Sequence, residues 1–439
     1  MTAAPADFPP GFQTGFPIRP DLVVEAAEAE DVREAVARAA GDGLRVAVHA
    51  TGHGLPGAVE RGVLIDTGRM DSVRIDPARR TATVAAGTTW AQVVRAAAPH
   101  GLAPLNGSAP GVGAVSYTLG GGLGIMAREF GYAADHVRSL DVVTGDGVLR
   151  HVTPEEEPDL FWGLRGGGHR LGVVTGLEIG LAGVARLYGG SIAFDGDGGA
   201  GARVLRRYLE WTRTVPGTLT SSVSALVYPD APQLPEPLRG RYVISVRVAY
   251  TGTEAEGERL VAPLRAIGPA RADSLRELPY TDSHTIHSDP PFPHAYYGDG
   301  LMLSGLDPAR AARVLELTGR KAPMMTVVQL NHLGGALATA PAVDNAVPYR
   351  GAGFLLRLLS PLDGTDVPSV RALYEEVAGA LAPSVMGRSL NFSFGGGDRT
   401  GGFHDARTRK RLAGLVSRHD PASLFGGAYG SGGVSRGGR

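Results

Sequence analysis

The chain has no cysteine in 439 residues. That excludes disulfides, thiolate metal ligands, iron–sulfur clusters and a cysteine nucleophile together. Lysine is almost as scarce, with Lys321 and Lys410 the whole supply. Neither stands in a G-K-[ST] context, so a Walker A loop is excluded. Their basic, helix-like surroundings also argue against a Schiff base. With 43 basic and 44 acidic residues the formal net charge is −1. There is no electrostatic case for nucleic acid or an anionic membrane. No apolar run reaches the roughly 18 residues of a membrane span. The opening MTAAPADFPPGFQTGFPIRP lacks the charged-then-apolar order of a leader. The expectation is a soluble, cytoplasmic protein, and the oligomeric state is left open.

A chain this long defaults to two domains. Its first half reads as short strands and helices: a helix over 31–43 capped by Asp31, strands at LRVAVHA, GVLIDT and TATVAAG, and a helix over 89–101. A hairpin spans 137–152, with Gly145-Asp146-Gly147 as its turn. After about residue 186 longer strands alternate with helices, which predicts a sheet backed by helices. SLNFSF reads as a strand, the stretch before GSGGVSRGGR as a basic helix, and that last stretch as a frayed end.

Glycine is what the chain has in abundance. VHATGHGLPG (48–57) contains a G-x-G-x-x-G at Gly52, Gly54 and Gly57. A Rossmann fingerprint needs a helix next, to aim its N-terminus at the pyrophosphate. Here Pro56 interrupts the motif and another strand comes after it, so that reading fails. Two readings stay open for the segment alone: a tight turn around a buried histidine, or an anion nest of main-chain amides. A second loop, GSAPGVGAVSYTLGGGLG (107–124), spends seven of its eighteen residues on glycine. Such a stretch is costly to order. A pair of such loops points to a backbone threaded around a large phosphate-bearing ligand, and FAD meets that description.

At these residues the sequence resembles the FAD-linked oxidases of the vanillyl-alcohol-oxidase superfamily, with its PCMH-type FAD-binding domain. The nearest likeness is to the bacterial berberine-bridge-enzyme-like branch. The segments that carry it are VAVHATGHG with GVLIDTGRM, HGLAPLNGSAPGVGAVSYTLGGGLG, and REFGYAADHVRSLDVVTGDGVLRHV with DLFWGLRGGGHRLGVVT. NHLGGALA, SLNFSF and LVSRHDPASLF complete it, in order along nearly the whole chain. The resemblance implies an α+β fold in which residues 1–185 and 385–439 form a two-part FAD-binding domain. Residues 186–384 would form an inserted antiparallel-sheet substrate domain.

It also implies that His53 bonds to the flavin 8α carbon, a task that suits a neutral imidazole. Many relatives add a second bond from a cysteine, and that position here is Ala109. The other residues implied at the cofactor are His49, Ala50, Thr51, Gly52, Gly54, Gly107, Ser108, Val112, Gly113, Tyr117, Gly121, Gly122, Gly124, Gly172, Val174, Asn391 and Phe392. Relatives often carry Asn-Tyr where this chain has Asn391-Phe392, and phenylalanine has no proton to exchange.

A replacement base is therefore sought in LPYTDSHTIHSDPPFPHAYYGDG (278–300), which holds Tyr280, His284, His287, His294, Tyr296 and Tyr297. Tyr296 and His294 are preferred, although the stretch also reads as an ordinary surface loop. Pro290 and Pro291 argue against a helix, and no carboxylate motif completes a metal site around HTIH. Gln329 and Asn331 alternate on MMTVVQLNH and so face one way, toward a substrate cavity or toward solvent. The expected activity is hydride transfer from a small molecule to FAD, with oxygen as the second partner, in secondary metabolism. A dehydrogenase, a redox-neutral cyclase and a non-catalytic ligand-sequestering flavoprotein are the alternatives.

Overall fold

The computed structural model describes residues 2–3, 8–395 and 401–426. The GSGGVSRGGR stretch lies outside them.

Three sheets organise the chain. The first is small, in the order Thr2–Ala3, Leu22–Glu25, Val63–Asp66, Val46–His49, with the last three strands parallel. Helix Ala29–Asp42 packs on it through Val32, Ala35, Val36 and Ala39. Its cap differs from the one read in the sequence. Glu28 is the N-cap and Asp31 closes a reciprocal capping box, while Gly43 ends the helix at φ 64°. Asp31 is therefore the residue that reaches back, not the one that starts the helix.

The second sheet is antiparallel, in the order Val73–Asp76, Thr81–Ala85, Val173–Gly180, Val137–Val143, Leu149–Val152. The hairpin at Gly145–Gly147 forms as its turn chemistry dictates, with the Gly147 amide donating to the Thr144 carbonyl. Between strands Thr81–Ala85 and Val137–Val143 of this sheet the chain makes the second glycine-rich stretch. It is not all loop, because Ala114–Leu119 forms a short helix whose Ala114, Val115 and Leu119 enter the core.

The third sheet has nine strands. Its path is Ala270–Asp273, Arg186–Asp195, Tyr242–Tyr250, Leu219–Val227, Val327–His332, Phe354–Pro361, Tyr296–Leu303, Val385–Arg388, and Arg276–Pro279 also pairs with Arg186–Asp195. Alternation assigns its two faces. Val223, Ile244, Val246, Val328, Leu330 and Leu356 join a core with helices Ala200–Trp211, Glu254–Arg265, Pro308–Thr318 and Val367–Leu381. This side holds one small apolar cavity, about 20 Å³, among residues such as Leu205, Val314 and Val328. Ser224 is the one polar residue in its lining, and the cavity is a packing gap. The other face of the sheet is polar.

Two expected elements come out differently. SLNFSF is not a strand: Leu390–Phe392 is a single 3-10 turn and Phe394 makes an isolated bridge to Gly298. The segment before Pro290 is helical after all, as a 3-10 stretch Tyr280–Ile286. A proline constrains its own φ and the residue before it, and Pro290 lies beyond the end of this stretch.

The C-terminal helix Ala406–His419 returns to the first half. Arg411 covers the Trp162 ring at 3.8 Å, and Leu415 packs where Gly163 leaves no room for a Cβ. Further on, the Leu424 carbonyl accepts from the Val46 amide. Arg165, 1% exposed, is a second tie between the halves, donating to the Phe161, Val343 and Asp344 carbonyls.

Candidate functional site

The stretch 51–54 leaves strand Val46–His49 as a bare turn. The Thr51 and Gly52 carbonyls accept from the Phe12 and Gln13 amides of the N-terminal arm. Gly52 sits at φ 72°, and a Cβ there would lie 2.2 Å from the Pro10 carbonyl oxygen, so only glycine allows the arm this close. Among the described residues, the amides of Thr51, Gly52, His53 and Gly54 find no acceptor in the protein. Successive partnerless amides on an exposed turn make a nest for an anion.

His53 stands in this nest. Its ring stacks on Phe12 at 3.9 Å with 10° between planes, and its Nδ1 lies 3.0 Å from the Thr51 hydroxyl. Burial, with a smaller contribution from His294, brings its pKa down to about 4. The imidazole is neutral at pH 7 and keeps its nucleophilic lone pair. The second loop passes beside it. A Cβ on Gly111 would lie 3.2 Å from His53 Cε1. The Gly107, Ser108, Ala109 and Gly111 amides also lack a protein acceptor among the described residues. Gly124 lets the loop pass the Leu105 and Asn106 carbonyls, and Gly122 the Tyr117 ring, at distances no Cβ tolerates, while a Cβ on Gly107 would lie 3.3 Å from the same ring.

Above this loop lies the polar face of the nine-stranded sheet. Register puts Arg247 beside Ser222 and Ser222 beside Asn331. One step along, Ser224 neighbours Gln329, which neighbours Arg357. Gln329 donates to the Asn331 Oδ1 at 3.2 Å, and Arg247 donates to the Ser224 hydroxyl at 2.7 Å. The Arg357 guanidinium covers the Phe392 ring at 3.9 Å. Gln329 and Asn331 thus share the inward face.

The 3-10 stretch Tyr280–Ile286 is tied to the second loop. The Tyr280 phenol donates to the Pro104 carbonyl and Asn106 Oδ1, fastening the stretch to the start of the second loop. Next in the chain come His287 and Asp289, and Asp289 accepts from the Ser108 hydroxyl at 2.5 Å. His287 Nδ1 is buried without a partner. Burial, with Arg247 and Arg357 adding to it against Asp289, holds the His287 pKa far below its ordinary value. For Asp289 burial pushes upward, while the Ser108 hydrogen bond and the two arginines pull downward and the carboxyl is ionised. Asp289 keeps exposed surface.

The bases preferred from sequence, Tyr296 and His294, lie beside the His53 turn. The Tyr296 phenol donates to the His53 carbonyl at 2.5 Å, and burial raises its pKa well above 10. His294 packs edge-on against Phe12 and its Nδ1 lies 2.9 Å from the Phe292 carbonyl. Both support the His53 turn; Tyr296 starts the strand Tyr296–Leu303, on the face that carries Arg357, with its phenol turned to the His53 carbonyl.

Several cofactor positions also have structural work. His49 Nε2 lies 3.2 Å from the Pro10 carbonyl, under the arm. The Val174 side chain lies in the core, and Gly172 lies against the Val143 carbonyl, so these two could meet a ligand only through main chain. Asn391 donates to the Tyr117 carbonyl at 2.9 Å and fills the space Gly120 leaves. Ala50, Val112, Gly113 and Gly121 lie on the two loops, Val112 packed partly into the core. Sequence reasoning missed Arg247, Asp289 and Arg357, and it named His287 without choosing it. The signal available was the alternation of RYVISVRVAY and FLLRLLS, which puts an arginine on the inner face of each strand. Among the described residues no cluster suited to a metal ion occurs, and no helix is long and apolar enough to cross a membrane.

Partnerless amides beside a neutral imidazole, glycines that admit a close-lying group, and a polar roof are what a diphosphate-linked ring system requires. The residues fit FAD, and they define a flavoprotein scaffold. Residues 20–153 match the FAD binding domain family. The chain is 29% identical over 282 residues to the (R)-6-hydroxynicotine oxidase of Paenarthrobacter nicotinovorans, covering 62% of this chain and 58% of that one. It is 24% identical over 411 residues to an FAD-linked oxidoreductase of Dictyostelium discoideum, covering 92% and 87%. A glucooligosaccharide oxidase structure from Acremonium strictum, described with a 6-S-cysteinyl, 8α-N1-histidyl FAD, superposes with a TM-score of 0.81 at 18% identity, covering 95% and 93%. Residues 20–153 thus carry an FAD binding domain, and along nearly its whole length the chain is similar to FAD-linked oxidoreductases.

Proposed function

We propose that this protein is an FAD-dependent oxidase of a small molecule, with the cofactor fastened covalently through His53. What supports the reading is one juxtaposition: the loop that passes His53 at Gly111 bonds Asp289 through Ser108, and Asp289 and His287 face Arg247 and Arg357 of the polar sheet face. Residues 1–185 and 385–439 would hold the cofactor, and 186–384 the substrate. Its finer parts are a place in the berberine-bridge-enzyme-like branch, work in secondary metabolism and a cytoplasmic location.

Bound FAD would supply a hydride acceptor for a C–H bond beside oxygen or nitrogen, and dioxygen would take the electrons on as hydrogen peroxide. The chain's own part is division of labour. The amides of 51–54 and 107–111 would hold the diphosphate and ribityl oxygens, costing nothing in side-chain entropy. Gln329 and Asn331 would orient the substrate hydroxyl or amine. His287, neutral and unpartnered at Nδ1, would accept the proton that leaves that group, the role Phe392 cannot fill.

The test is a purified preparation precipitated with acid. Yellow colour is expected in the pellet of the wild type and in the supernatant of His53→Ala. A colourless protein that takes up no FAD overturns the flavin reading. One mole of peroxide per mole of substrate is expected. Substrate consumed without peroxide would make it a dehydrogenase or cyclase. A flavin that no candidate substrate bleaches would favour a sequestering role.

A further inference from the structure

The polar sheet face carries more positive charge than the protein itself answers. Arg357 makes no hydrogen bond and no ion pair with any described residue; its one contact of note is the Phe392 ring. Burial brings its pKa down to about 10, with Asp289 opposing and Arg247 adding to the fall, so it remains a cation at pH 7. Arg247 has only the neutral Ser224 hydroxyl, and burial likewise lowers its pKa. The two side chains rise from strands separated by Leu219–Val227 and Val327–His332 and face the same segment, 287–289. Asp289 is the only carboxylate among the described residues acting on both, and neither guanidinium is within ion-pair distance of it. Its oxygen is given to Ser108 instead.

The balance is two cations, one anion and a neutral imidazole, a net of one positive charge on a half-buried face. Half-buried charge without a partner is costly, and a ligand of opposite sign would supply the partner. The forked guanidinium matches a planar two-oxygen anion. The Ser222 hydroxyl, buried without a partner on the same face, is a spare donor beside it.

We propose that the cleft takes a substrate bearing a carboxylate, received by Arg357 and Arg247 on the sheet face. The proposal rests on the oxidase reading for the word substrate, not for the binding site itself. A monoanion is the better match than a phosphate monoester, because one unit of charge is unanswered and a dianion would exceed it. The other group that could claim Arg357 is the cofactor ring, which becomes negative on reduction.

The experiment titrates the yellow holoenzyme with benzoate and with benzyl alcohol, a neutral analogue. Binding is read from the visible flavin band and from the melting temperature. Benzoate is expected to bind at least tenfold more tightly than benzyl alcohol, and raised ionic strength is expected to weaken benzoate alone. Arg357→Met should erase the preference, and Arg357→Lys should keep part of it. If Arg357→Met does not fold, Arg247→Met gives the same readout. Equal affinity of the two probes in the wild type overturns the proposal, as does displacement of benzoate by equimolar inorganic phosphate. So does an Arg357→Met variant whose flavin reduction potential changes while its preference for benzoate stays. A protein that prefers benzoate but makes no peroxide from any substrate would defeat the oxidase reading alone.

Discussion

Ser108 donates its hydroxyl hydrogen to the Asp289 carboxylate at 2.5 Å, joining two segments 181 residues apart in sequence. One belongs to the loop that would carry the cofactor, the other to the segment that carries His287. A hydrogen bond to an ionised acceptor is about twice as strong as a neutral one, so the span between loop and imidazole is fixed rather than left to a mobile surface.

That placement makes His287 the group to remove first. His287→Ala is expected to lower kcat by about 10²- to 10⁴-fold, the usual worth of a positioned base, with FAD content unchanged. The direction of its shift sets the pH dependence. The base works when neutral, and it is neutral above its pKa, which burial holds far below the ordinary value of about 6.5. The rate should therefore show no acidic fall between about pH 7 and 5. An acidic limb centred near 6.5, or a His287→Ala enzyme near wild-type rate, refutes the assignment.

Tyr296 supplies the contrasting variant. Its phenol is spent on the His53 carbonyl and ionises only far above neutral pH. Tyr296→Phe should lower the melting temperature by the loss of one buried hydrogen bond, about 1 kcal/mol. Its kcat should stay within about threefold of wild type, since it supplies nothing toward a barrier. A hundredfold fall in kcat with folding intact would return the phenol to the mechanism.

The sequence makes the cofactor half legible and the catalytic half only partly so, and the reason is physical. Glycines at Gly52 and Gly124 are demanded by main-chain approaches under 3 Å, which no other residue survives. Such positions announce themselves. Gln329 and Asn331 were readable because strand alternation is local. Arg247, Arg357 and Asp289 meet only after strands from distant parts of the chain pair, and nothing in their neighbours foretells it. Tyr296 and His287 could not be told apart for the same reason. Both lie in one aromatic-rich stretch, and only the tertiary fold sends one phenol to the His53 carbonyl and leaves one imidazole facing the cleft. The misread strand at SLNFSF shows propensity overridden by packing, as Phe392 turns under Arg357.

Stability should fall on the acid side of neutrality. Burial lowers His169 to about 4 and His332, with Arg128 beside it, to about 3. Their unfolded pKa is about 6.5, so between those values the unfolded chain binds protons the native one refuses. Stability is full above about pH 6.5 and is lost as pH falls toward the native values, by about 1–2 kcal/mol per histidine at pH 5. The apoprotein should melt several degrees lower at about pH 5 than at pH 7.5. His169→Gln should flatten that slope. A melting temperature indifferent to pH over this range contradicts it.

Ala109 offers a gain of function. The second loop runs beside the His53 ring two residues later, where a Cβ on Gly111 would lie 3.2 Å from Cε1. A side chain at 109 therefore leaves a backbone already adjacent to the attachment point, and alanine there has nothing to react with. Ala109→Cys provides a thiol in an otherwise cysteine-free chain, so any second flavin bond has one possible origin. In the double variant His53→Ala/Ala109→Cys, acid-precipitated protein is expected to stay yellow where His53→Ala alone does not. Mass spectrometry of the peptide holding residue 109 should show the added flavin. If the double variant releases all its colour, the second loop does not bring position 109 to the ring, and the shared path of the two loops along the cofactor is wrong.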